Sequence, residues 1–473
     1  MRLSVAEIAG AVGGTCTCTD ATVEGVNWDS RLIQAGDMYV ALPGERVDGH
    51  DFIGAAAANG AACALVTHEV EADIPLIVVD DTAAALTRLS AYWRCKLEGV
   101  VIGLTGSVGK TSTKNLVRDV LSHAHSVVAT LANQNNELGV PNTLLAADVD
   151  TDAVVVEMGM RGRGQIAELC EIARPDWGII TNVGESHIEL LGSRDNIARA
   201  KAELFEGLPD ERGIAFANAS DDYASQVCEF AKLNERNITI VFYGGSSASG
   251  DAPSVWASEV SFDDESRPSF TLCAKNVPSQ QSDCLTGSIA CKLELRGAHS
   301  VTNACAAAAV GLVSGMTLEQ VRDALAAAQP EKGRQQITRT QAGVTVFDDS
   351  YNASPDSMQA SLNTFASMAV EGKRIAVLGD MLELGDFAKE CHERVGIMAA
   401  NAHADCLVCV GELSRHMARA AEEAGIDPQS IQTCDNAEEA LALILPILEP
   451  GDAVLAKASH SIGLDRIVKE LVS

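Results

Sequence analysis

Residues 104–112 read L-T-G-S-V-G-K-T-S and lie between an apolar run and a helical pattern. The run before them, Val100–Leu104, is short and apolar, and after Lys110 apolar residues recur at helical spacing from Leu116 to Leu121. A glycine loop between a strand and a helix directs backbone N–H groups toward one point, which favours an anion. The stretch therefore predicts a phosphate-binding loop.

This loop differs from a strict Walker A motif, because Leu104 stands where that motif has its first glycine. What remains is Gly106-x-x-Gly109-Lys110-Thr111. Lys110 supplies a charge for β- and γ-phosphates, and the Thr111 hydroxyl is a ligand for Mg²⁺. The alternative is a glycine turn that caps a helix and leaves Lys110 solvated, but the strand–loop–helix context favours a nucleoside triphosphate. The predicted loop contacts are Thr105, Gly106, Ser107, Val108, Gly109, Lys110, Thr111 and Ser112.

Composition limits the classes of partner. The 473 residues fit about three domains, 47% are apolar, and the formal net charge is −30. We expect neither nucleic acid nor an anionic membrane as a partner, because both would repel so acidic a protein. No signal peptide is predicted, and the apolar runs are too short for membrane insertion. Fourteen cysteines without a secretory signal predict reduced thiols and a cytoplasmic location.

The spacing of strand-like and helical runs predicts an α/β fold with three domains. We expect a small N-terminal α/β domain at 1–96, a central P-loop ATPase domain with a parallel sheet at 97–329, and a C-terminal Rossmann-like domain at 330–473. The elements expected in the first domain are strands at Asp37–Leu42, Ala62–Val66 and Leu76–Val79, and helices at Phe52–Asn59 and Ala83–Arg94.

Strands and helices alternate in the central domain, which predicts a parallel sheet with ligands at the carboxyl ends of its strands. Gly244–Leu285 is rich in Ser, Asp and Pro, so it is either a flexible insertion or a small antiparallel β extension, with strands at Val255–Phe262 and Ser269–Ala274. Gln329–Gly333 predicts a linker. The other strands expected in the second and third domains are Val100–Leu104, Ser126–Thr130, Ala153–Glu157, Trp177–Asn182, Gly213–Asn218, Ile238–Tyr243, Thr345–Asp349, Arg374–Leu378, Cys406–Val410 and Ala453–Ala456.

Polar residues follow several central strands, at the edge of the sheet where a ligand is expected. They are Asn133–Asn136, Glu157, His187 and Lys201. Taken singly, an Asn run makes turns, a Glu at a strand end meets a helix dipole, and a lone His or Lys is structural or solvated. Together with the phosphate loop they predict a metal–phosphate site, because Mg²⁺ takes few protein ligands beside phosphate oxygens and water. Histidine is an unusual ligand for this ion.

The order of these motifs resembles that of the Mur ligases, the ATP-dependent amide-forming enzymes of peptidoglycan precursor synthesis. The resemblance covers essentially the whole chain. The motifs that carry it are G-x-x-G-K-T at Gly106, N-Q-N-N-E-L-G-V-P at Asn133, E-M-G at Glu157, N-V-G-E-S-H at Asn182, A-K-A-E-L-F at Ala200, H-S-V-T-N-A at His299 and D-D-S-Y-N-A-S-P-D-S-M at Asp348. Residues 36–50, 348–358 and 377–385 are most similar to the member that adds D-alanyl-D-alanine to UDP-N-acetylmuramoyl-tripeptide.

This resemblance assigns roles to individual residues. It implies that Lys110, Lys201 and His187 are catalytic, and that Thr111, Glu157, His187 and Lys201 serve the metal. Lys201 matches a position that is often carbamylated, and a carbamate would place an anion beside Mg²⁺. The implied nucleotide contacts outside the loop are His299, Asn303, Arg334 and Asp349. The implied substrate contacts are Ser30, Arg31, Asn135, Asn136, Asn352, Lys457 and His460.

The implied reaction begins with attack of a peptide carboxylate on the γ-phosphate of ATP, which gives an acyl phosphate and ADP. The amine of D-alanyl-D-alanine then attacks, and a tetrahedral intermediate expels phosphate. Positioning and charge neutralisation are expected to dominate the first step. The expected partners are therefore ATP, Mg²⁺, UDP-N-acetylmuramoyl-tripeptide and D-alanyl-D-alanine, bound by a monomer.

Two motifs depart from the family pattern. The motif Y-N-A-N-P has Ser354 at its fourth position, and the C-terminal K-G-S-R reads Lys457-Ala458-Ser459-His460. Loss of an Arg removes a bidentate clamp for a carboxylate or a phosphate. The identity of the dipeptide, and the group that holds its carboxylate, therefore stay open, as does the third residue of the tripeptide, diaminopimelate or lysine.

Three other functions compete with this one. Another family member, such as the diaminopimelate- or lysine-adding ligase or a folylpolyglutamate synthase, is disfavoured by Asp29-Ser30-Arg31 and by residues 348–358. A P-loop switch protein is disfavoured because a guanine-reading Asn-Lys-x-Asp is missing. A catalytically inactive homologue that acts as a binding module is disfavoured by the retained Lys110 and Lys201.

Overall fold

The computed structural model describes residues 1–16, 20–44, 47–245, 252–279 and 282–473. It confirms the α/β class and the three-domain architecture. Within these ranges, no helix combines the length and the apolar character needed to cross a bilayer. The cysteines in the same ranges are all free thiols.

The N-terminal part of the chain folds around a five-stranded sheet. In spatial order its strands are Thr15–Cys16, Leu76–Val78, Cys63–Val66, Asp37–Val40 and Gly25–Asn27. The first pair is antiparallel and the other neighbours are parallel. A separate antiparallel pair joins Leu3–Ser4 to Thr22–Val23. The helices are Val5–Val12, Ile53–Ala58 and Thr82–Arg94, with 3-10 turns at Ser30–Leu32 and Gly49–Phe52.

The central part is built on a nine-stranded sheet with the phosphate-loop strand in its interior. In spatial order the strands are Ser282–Lys292, Pro268–Ser279, Ser254–Phe262, Thr239–Tyr243, Ile214–Asn218, Trp177–Ile180, Val100–Thr105, Ala153–Glu157 and Val127–Ala129. The first two are antiparallel to their neighbours and the rest are parallel. The helices are Lys110–Leu121, Gly139–Leu145, Gln165–Ala173, Ile188–Leu191, Arg194–Glu206, Ala224–Phe230, Ala298–Val313 and Leu318–Ala327.

The expected antiparallel extension is therefore present, and it is continuous with the central sheet. Ser254–Phe262 still pairs in parallel with Thr239–Tyr243, and the next two strands reverse direction. Residues 246–251 and 280–281 of the predicted insertion lie outside the described residues.

The C-terminal part has a six-stranded sheet. In spatial order its strands are Gln336–Arg339, Thr345–Asp348, Ala453–Lys457, Arg374–Gly379, Cys406–Val410 and Ile431–Cys434, and the first pair is antiparallel. Neither edge strand was predicted from the sequence. The helices are Pro355–Ser367, Ala388–Asn401, Ser414–Glu423, Ala437–Ile444 and Asp465–Val472, with 3-10 turns at Gly385–Phe387, Pro428–Ser430, Leu445–Ile447 and His460–Ile462.

Apolar packing does not follow the three sheets one for one. A single cluster of buried side chains runs from Met1 to Ile238 and includes Trp93 on the first-domain side and Leu144 on the central side. The Trp93 indole N–H donates a 2.9 Å hydrogen bond to Ala147 O across the same junction. The C-terminal sheet has its own clusters on its two faces. Among the described residues, no apolar cluster joins the C-terminal part to the rest.

Candidate functional site

A cavity of about 1380 Å³ lies at the carboxyl ends of the central strands, and side chains of the C-terminal part line its other side. It brings together most residues that sequence analysis assigned to nucleotide, metal or substrate. Those lining it are Gly106, Ser107, Val108, Gly109, Lys110, Thr111, Ser112, Asn135, Asn136, Glu157, His187, Lys201, His299, Asn303, Arg334, Asp349, Asn352, Lys457 and His460. Thr105, Ser30 and Arg31 are not among the lining residues.

The phosphate loop connects the buried strand Val100–Thr105 to the helix that begins at Lys110. Gly109 has φ 80°, a left-handed conformation that favours glycine, and a Cβ there would lie 3.4 Å from Asn303 Oδ1. Lys110 is half-buried rather than solvated. Its Nζ donates hydrogen bonds to Gly106 O at 2.8 Å and Ser107 O at 3.3 Å. Burial lowers the pKa of Lys110.

Glu157 ends the central strand Ala153–Glu157 and is almost completely buried. Asn135 Nδ2 donates a 2.9 Å hydrogen bond to Glu157 Oε1, while Oε2 is buried without a hydrogen-bond partner. A buried, unpartnered carboxylate oxygen is costly unless a ligand satisfies it. The buried Thr111 lines the same cavity, and a carboxylate oxygen together with a hydroxyl suits a hard cation such as Mg²⁺. The donor set therefore fits the ion.

No group of three His, Cys, Asp or Glu side chains in the described ranges could hold a metal by itself. An ion at Glu157 would therefore take further ligands from bound phosphate and water, as Mg²⁺ commonly does. Asn136 also lines the cavity, and its Oδ1 accepts a 3.1 Å hydrogen bond from Gly139 N at the start of the next helix; its contact with substrate stays a prediction.

His187 lines the cavity. It directly precedes the helix Ile188–Leu191 and has a left-handed backbone conformation, with φ 64°. Its Nδ1 lies 2.9 Å from Glu383 Oε2, a side chain of the C-terminal part, but the two atoms are not aligned for a hydrogen bond, and Nδ1 is buried without a hydrogen-bond partner. Burial and the Lys110 charge lower the pKa of His187, although Glu383 opposes them. The ring is therefore biased toward the neutral form that can coordinate a metal.

Lys201 lies on the helix Arg194–Glu206 and is 1% exposed. Burial and the nearby Lys110 charge hold the pKa of Lys201 well below its usual range. In the part of the chain that the structure describes, its Nζ makes no hydrogen bond or ion pair. The burial of Lys201 excludes the alternative of a solvated helix lysine, and a neutral amine is the form that reacts with CO₂.

The cavity's nucleotide side combines residues from two parts of the chain. His299 and Asn303 lie on the helix Ala298–Val313, and Asn303 borders Gly109. From the C-terminal part, the Arg334 guanidinium lies 4.1 Å from the Tyr351 ring centroid. Burial lowers the pKa of His299, so its ring is mostly neutral and can accept a hydrogen bond.

On the C-terminal side of the cavity, Lys457 and Asp349 bind each other. Lys457 Nζ donates hydrogen bonds to Asp349 Oδ2 at 2.6 Å and to Asn352 O at 2.9 Å. His460 is exposed, and its ring centroid lies 5.8 Å from that of Tyr351. Because Lys457 is already paired, His460 is better placed than Lys457 to meet a carboxylate in the cavity.

Ser30 and Arg31 form a second, separate location in the first domain. Both belong to the 3-10 turn that Asp29 caps, and Arg31 Nη2 donates a 2.6 Å hydrogen bond to Asp29 Oδ2. The Arg31 hydrogen bonds lower the pKa of Asp29 to about 2. Arg31 is exposed and held in place, as a contact for an anionic ligand would be.

Several charged residues near the cavity were given no role by the sequence patterns. Lys114, one helical turn after Lys110, is buried and donates a 2.6 Å hydrogen bond to Thr130 O. Glu185 and Arg394 form an ion pair between residues 209 positions apart. The lysine at helical spacing from the loop was a usable signal, but nothing local links Glu185 to Arg394.

Comparison with known proteins places this geometry in a family. Three family models match: "Mur ligase family, catalytic domain" at 22–94, "Mur ligase middle domain" at 104–311, and "Mur ligase, glutamate ligase domain" at 333–460. The UDP-N-acetylmuramoyl-tripeptide–D-alanyl-D-alanine ligase of Mycobacterium tuberculosis is 38% identical, over 100% of this chain and 98% of that protein.

Solved structures agree with the sequence comparison. MurF from Acinetobacter baumannii has a TM-score of 0.84 at 30% identity, covering 100% of this chain and 99% of that one. MurF from Thermotoga maritima in complex with ADP has a TM-score of 0.75 at 27% identity, covering 95% and 97%. The similarity extends through all three parts of the fold, and the chain belongs to the Mur ligase family.

Proposed function

We propose that this ligase joins D-alanyl-D-alanine to UDP-N-acetylmuramoyl-tripeptide, with ATP as the source of energy. The observation that carries the proposal is that the phosphate loop, Glu157 and Lys201 share one cavity with His460 of the C-terminal part. The names of the relatives support the substrates, and the ADP complex of a neighbour supports the nucleotide.

The first step transfers the γ-phosphoryl group to the tripeptide carboxylate. Lys110 is poised for this step, because a bound triphosphate offers its ammonium stronger acceptors than the carbonyls of Gly106 and Ser107. His299 and Asn303 orient the adenosine end, and Arg334 contacts the nucleotide from the C-terminal part. These contacts would orient the triphosphate for attack by the carboxylate, and positioning supplies most of the catalysis in phosphoryl transfer.

Thr111 and Glu157 are the residues that would hold Mg²⁺. The ion would neutralise charge where a carboxylate meets a triphosphate in a protein of net charge −30. His187 lines the same cavity and is proposed as a further ligand. Asn135 keeps Glu157 Oε1 oriented, so that Oε2 is the oxygen available to the ion.

Lys201 is proposed to be carbamylated. Its neutral amine adds to CO₂ with loss of one proton, which forms an N–C bond and turns the side chain into an anion. The burial of Lys201 and its lowered pKa support this reaction. The resulting carboxylate would face Lys110 and the metal, where an ammonium would be repelled.

In the second step the dipeptide amine attacks the acyl phosphate. His460 and Asn352 are proposed to meet the dipeptide, since both are exposed to the cavity. Ser30 and Arg31 are proposed to bind the UDP-sugar end of the other substrate in the first domain.

The decisive experiment measures phosphate release and product mass with ATP, Mg²⁺ and UDP-N-acetylmuramoyl-tripeptide. Release is expected with D-alanyl-D-alanine and not without it, and the product mass should equal the sum of the two substrates less one water. Phosphate release with free diaminopimelate or glutamate, and none with the dipeptide, would assign the chain to a different ligase activity.

A further inference from the structure

Residues 184–189, called here the docking segment, connect the phosphate loop to the C-terminal part. The segment follows the strand Trp177–Ile180 and contains His187. On one side it bonds to the phosphate loop: Gly184 N donates to Ser107 Oγ at 2.8 Å, and Ser186 Oγ donates to Ser107 O at 3.3 Å.

The docking segment meets the C-terminal part on its other side. Arg394 Nη1 donates to both carboxylate oxygens of Glu185, at 3.0 and 2.8 Å. Both side chains are partly shielded, with exposures of 37% and 25%. This shielding makes the pair stronger than a fully solvated one, because water competes less for the charges.

The absence of a side chain at Gly184 allows Asp356 of the C-terminal part to lie close to the docking segment. A Cβ at Gly184 would overlap Asp356 Oδ2 of the C-terminal part, and the same oxygen accepts a 3.4 Å hydrogen bond from Glu185 N. Further along the segment, His187 lies beside Glu383, and a Cβ at Gly385 would clash with Glu189. Residues of the docking segment therefore touch the C-terminal part at several consecutive points.

We infer that Arg394 is a positioning residue for the reaction: by binding Glu185 it holds the docking segment, and with it His187, against the phosphate loop. The inference rests on the proposed function for its effect on catalysis. When the C-terminal part is docked, the phosphate loop and His187 face the triphosphate together. Docking therefore closes one side of the cavity and also brings His187 into position.

The test uses Arg394→Met, which keeps the apolar stem and removes the charge. Hydrogen exchange of the ligand-free protein reads the amides of the docking segment and of the phosphate loop. We expect exchange at 184–189 to accelerate about tenfold, as for the loss of one charge-assisted hydrogen bond, with the melting temperature unchanged. The matched control is Lys389→Met on the same helix, whose Nζ lies 3.7 Å from Glu393 Oε1. It should leave exchange at 184–189 unchanged.

Activity gives a second readout. Arg394→Met should lower kcat about tenfold and change KM for ATP less, and the exchanged pair Glu185→Arg with Arg394→Glu should recover most of the loss. Gly184→Ala should reproduce the effect by blocking Asp356, which covers the case in which Arg394→Met is poorly folded.

Unchanged exchange in Arg394→Met and Gly184→Ala would overturn the inference, as would an exchanged pair no better than either single variant. If the wild-type protein forms no product, the proposed function is wrong, and the exchange arm still decides whether Arg394 holds the segment.

Discussion

Lys457 Nζ lies 2.6 Å from Asp349 Oδ2, and both side chains are almost completely buried. The two residues stand at the ends of neighbouring parallel strands, Ala453–Lys457 and Thr345–Asp348. The pair therefore ties together the strand ends from which His460 and Asn352 reach the cavity. Lys457 and Asp349, which are predicted to contact ligands, therefore also hold His460 and Asn352 in position.

Breaking this buried pair should destabilise the C-terminal part. Asp349→Asn leaves the Lys457 ammonium buried without its counter-charge, which costs about 3 kcal/mol in comparable pairs. Urea unfolding monitored by circular dichroism measures the loss. Arg466→Met is the control, because Arg466 pairs with Glu438 on the surface, and the change there should stay below about 0.5 kcal/mol. Equal effects of the two variants would contradict the framework role.

Lys110→Ala should abolish amide formation and leave the fold intact. The hydrogen bonds of its Nζ go to carbonyls of its own loop, so its loss removes no hydrogen bond to another element. The expected loss in kcat/KM exceeds tenfold, or ~1.4 kcal/mol. Lys469→Ala, at an exposed helix position, serves as the control. A Lys110→Ala enzyme with more than about a tenth of the wild-type kcat/KM would reject the phosphate role.

Lys201→Ala should be nearly inactive and partly rescued by acetate or propionate, whose carboxylate would replace the carbamate. Because the amine must be neutral to react with CO₂, carbamylation should increase with pH. Carbon-13 NMR with labelled bicarbonate should show a carbamate signal that disappears in Lys201→Ala. Absence of both the signal and the rescue would show that Lys201 acts unmodified.

His460→Arg should lower KM for D-alanyl-D-alanine, or shift preference between it and D-alanyl-D-serine or D-alanyl-D-lactate. A guanidinium forms a two-pronged charged fork with a carboxylate, which the single N–H of an imidazole edge cannot. KM for ATP should stay constant, since Arg334 and Asp349 are the proposed contacts for that ligand. Lys457 and Arg466 already pair with Asp349 and Glu438. Unchanged KM values for every dipeptide would remove His460 from the substrate site.

The pKa of Asp29 tests whether Arg31 is held in place before substrate binds. Its pKa of about 2 comes mainly from the Arg31 hydrogen bonds. In Arg31→Gln we expect the pKa of Asp29 to rise toward its ordinary 3.8. Because folding lowers the pKa of Asp29, the pair stabilises the fold fully at pH values above 3.8, the ordinary pKa of the carboxyl. This stabilisation is lost as the pH falls through about 2. NMR titration of the Asp29 carboxyl gives both values, and equal values would mean that Arg31 is free.

Buried parallel strands could be predicted closely from the sequence, because they are uninterrupted apolar runs. Ala153–Glu157 and Cys406–Val410 have the predicted bounds. The edge strands Gln336–Arg339 and Ile431–Cys434 were missed, since partly exposed strands carry no such run. Ser282–Lys292 was missed because small polar residues interrupt it.

For the candidate site, position after a strand was the useful signal. Glu157 ends a central strand and His187 follows one, and the structure places both in one cavity with the phosphate loop. Burial of Lys201 was not visible, because its helix reads as amphipathic and polar in sequence. The Glu185–Arg394 pair could not be predicted for a different reason. It depends on how two separately folded parts of the chain pack together, and no local sequence spacing encodes that arrangement.

The apolar cluster shared by the first and central parts determines which parts of the molecule unfold together. Residues on both sides of the junction, such as Trp93 and Leu144, exclude water together, so neither side can melt without exposing the other. The C-terminal part meets its neighbours mainly through polar contacts and should melt on its own. Calorimetry should therefore resolve two cooperative transitions rather than three, and Trp93 fluorescence should follow the one that contains the phosphate loop.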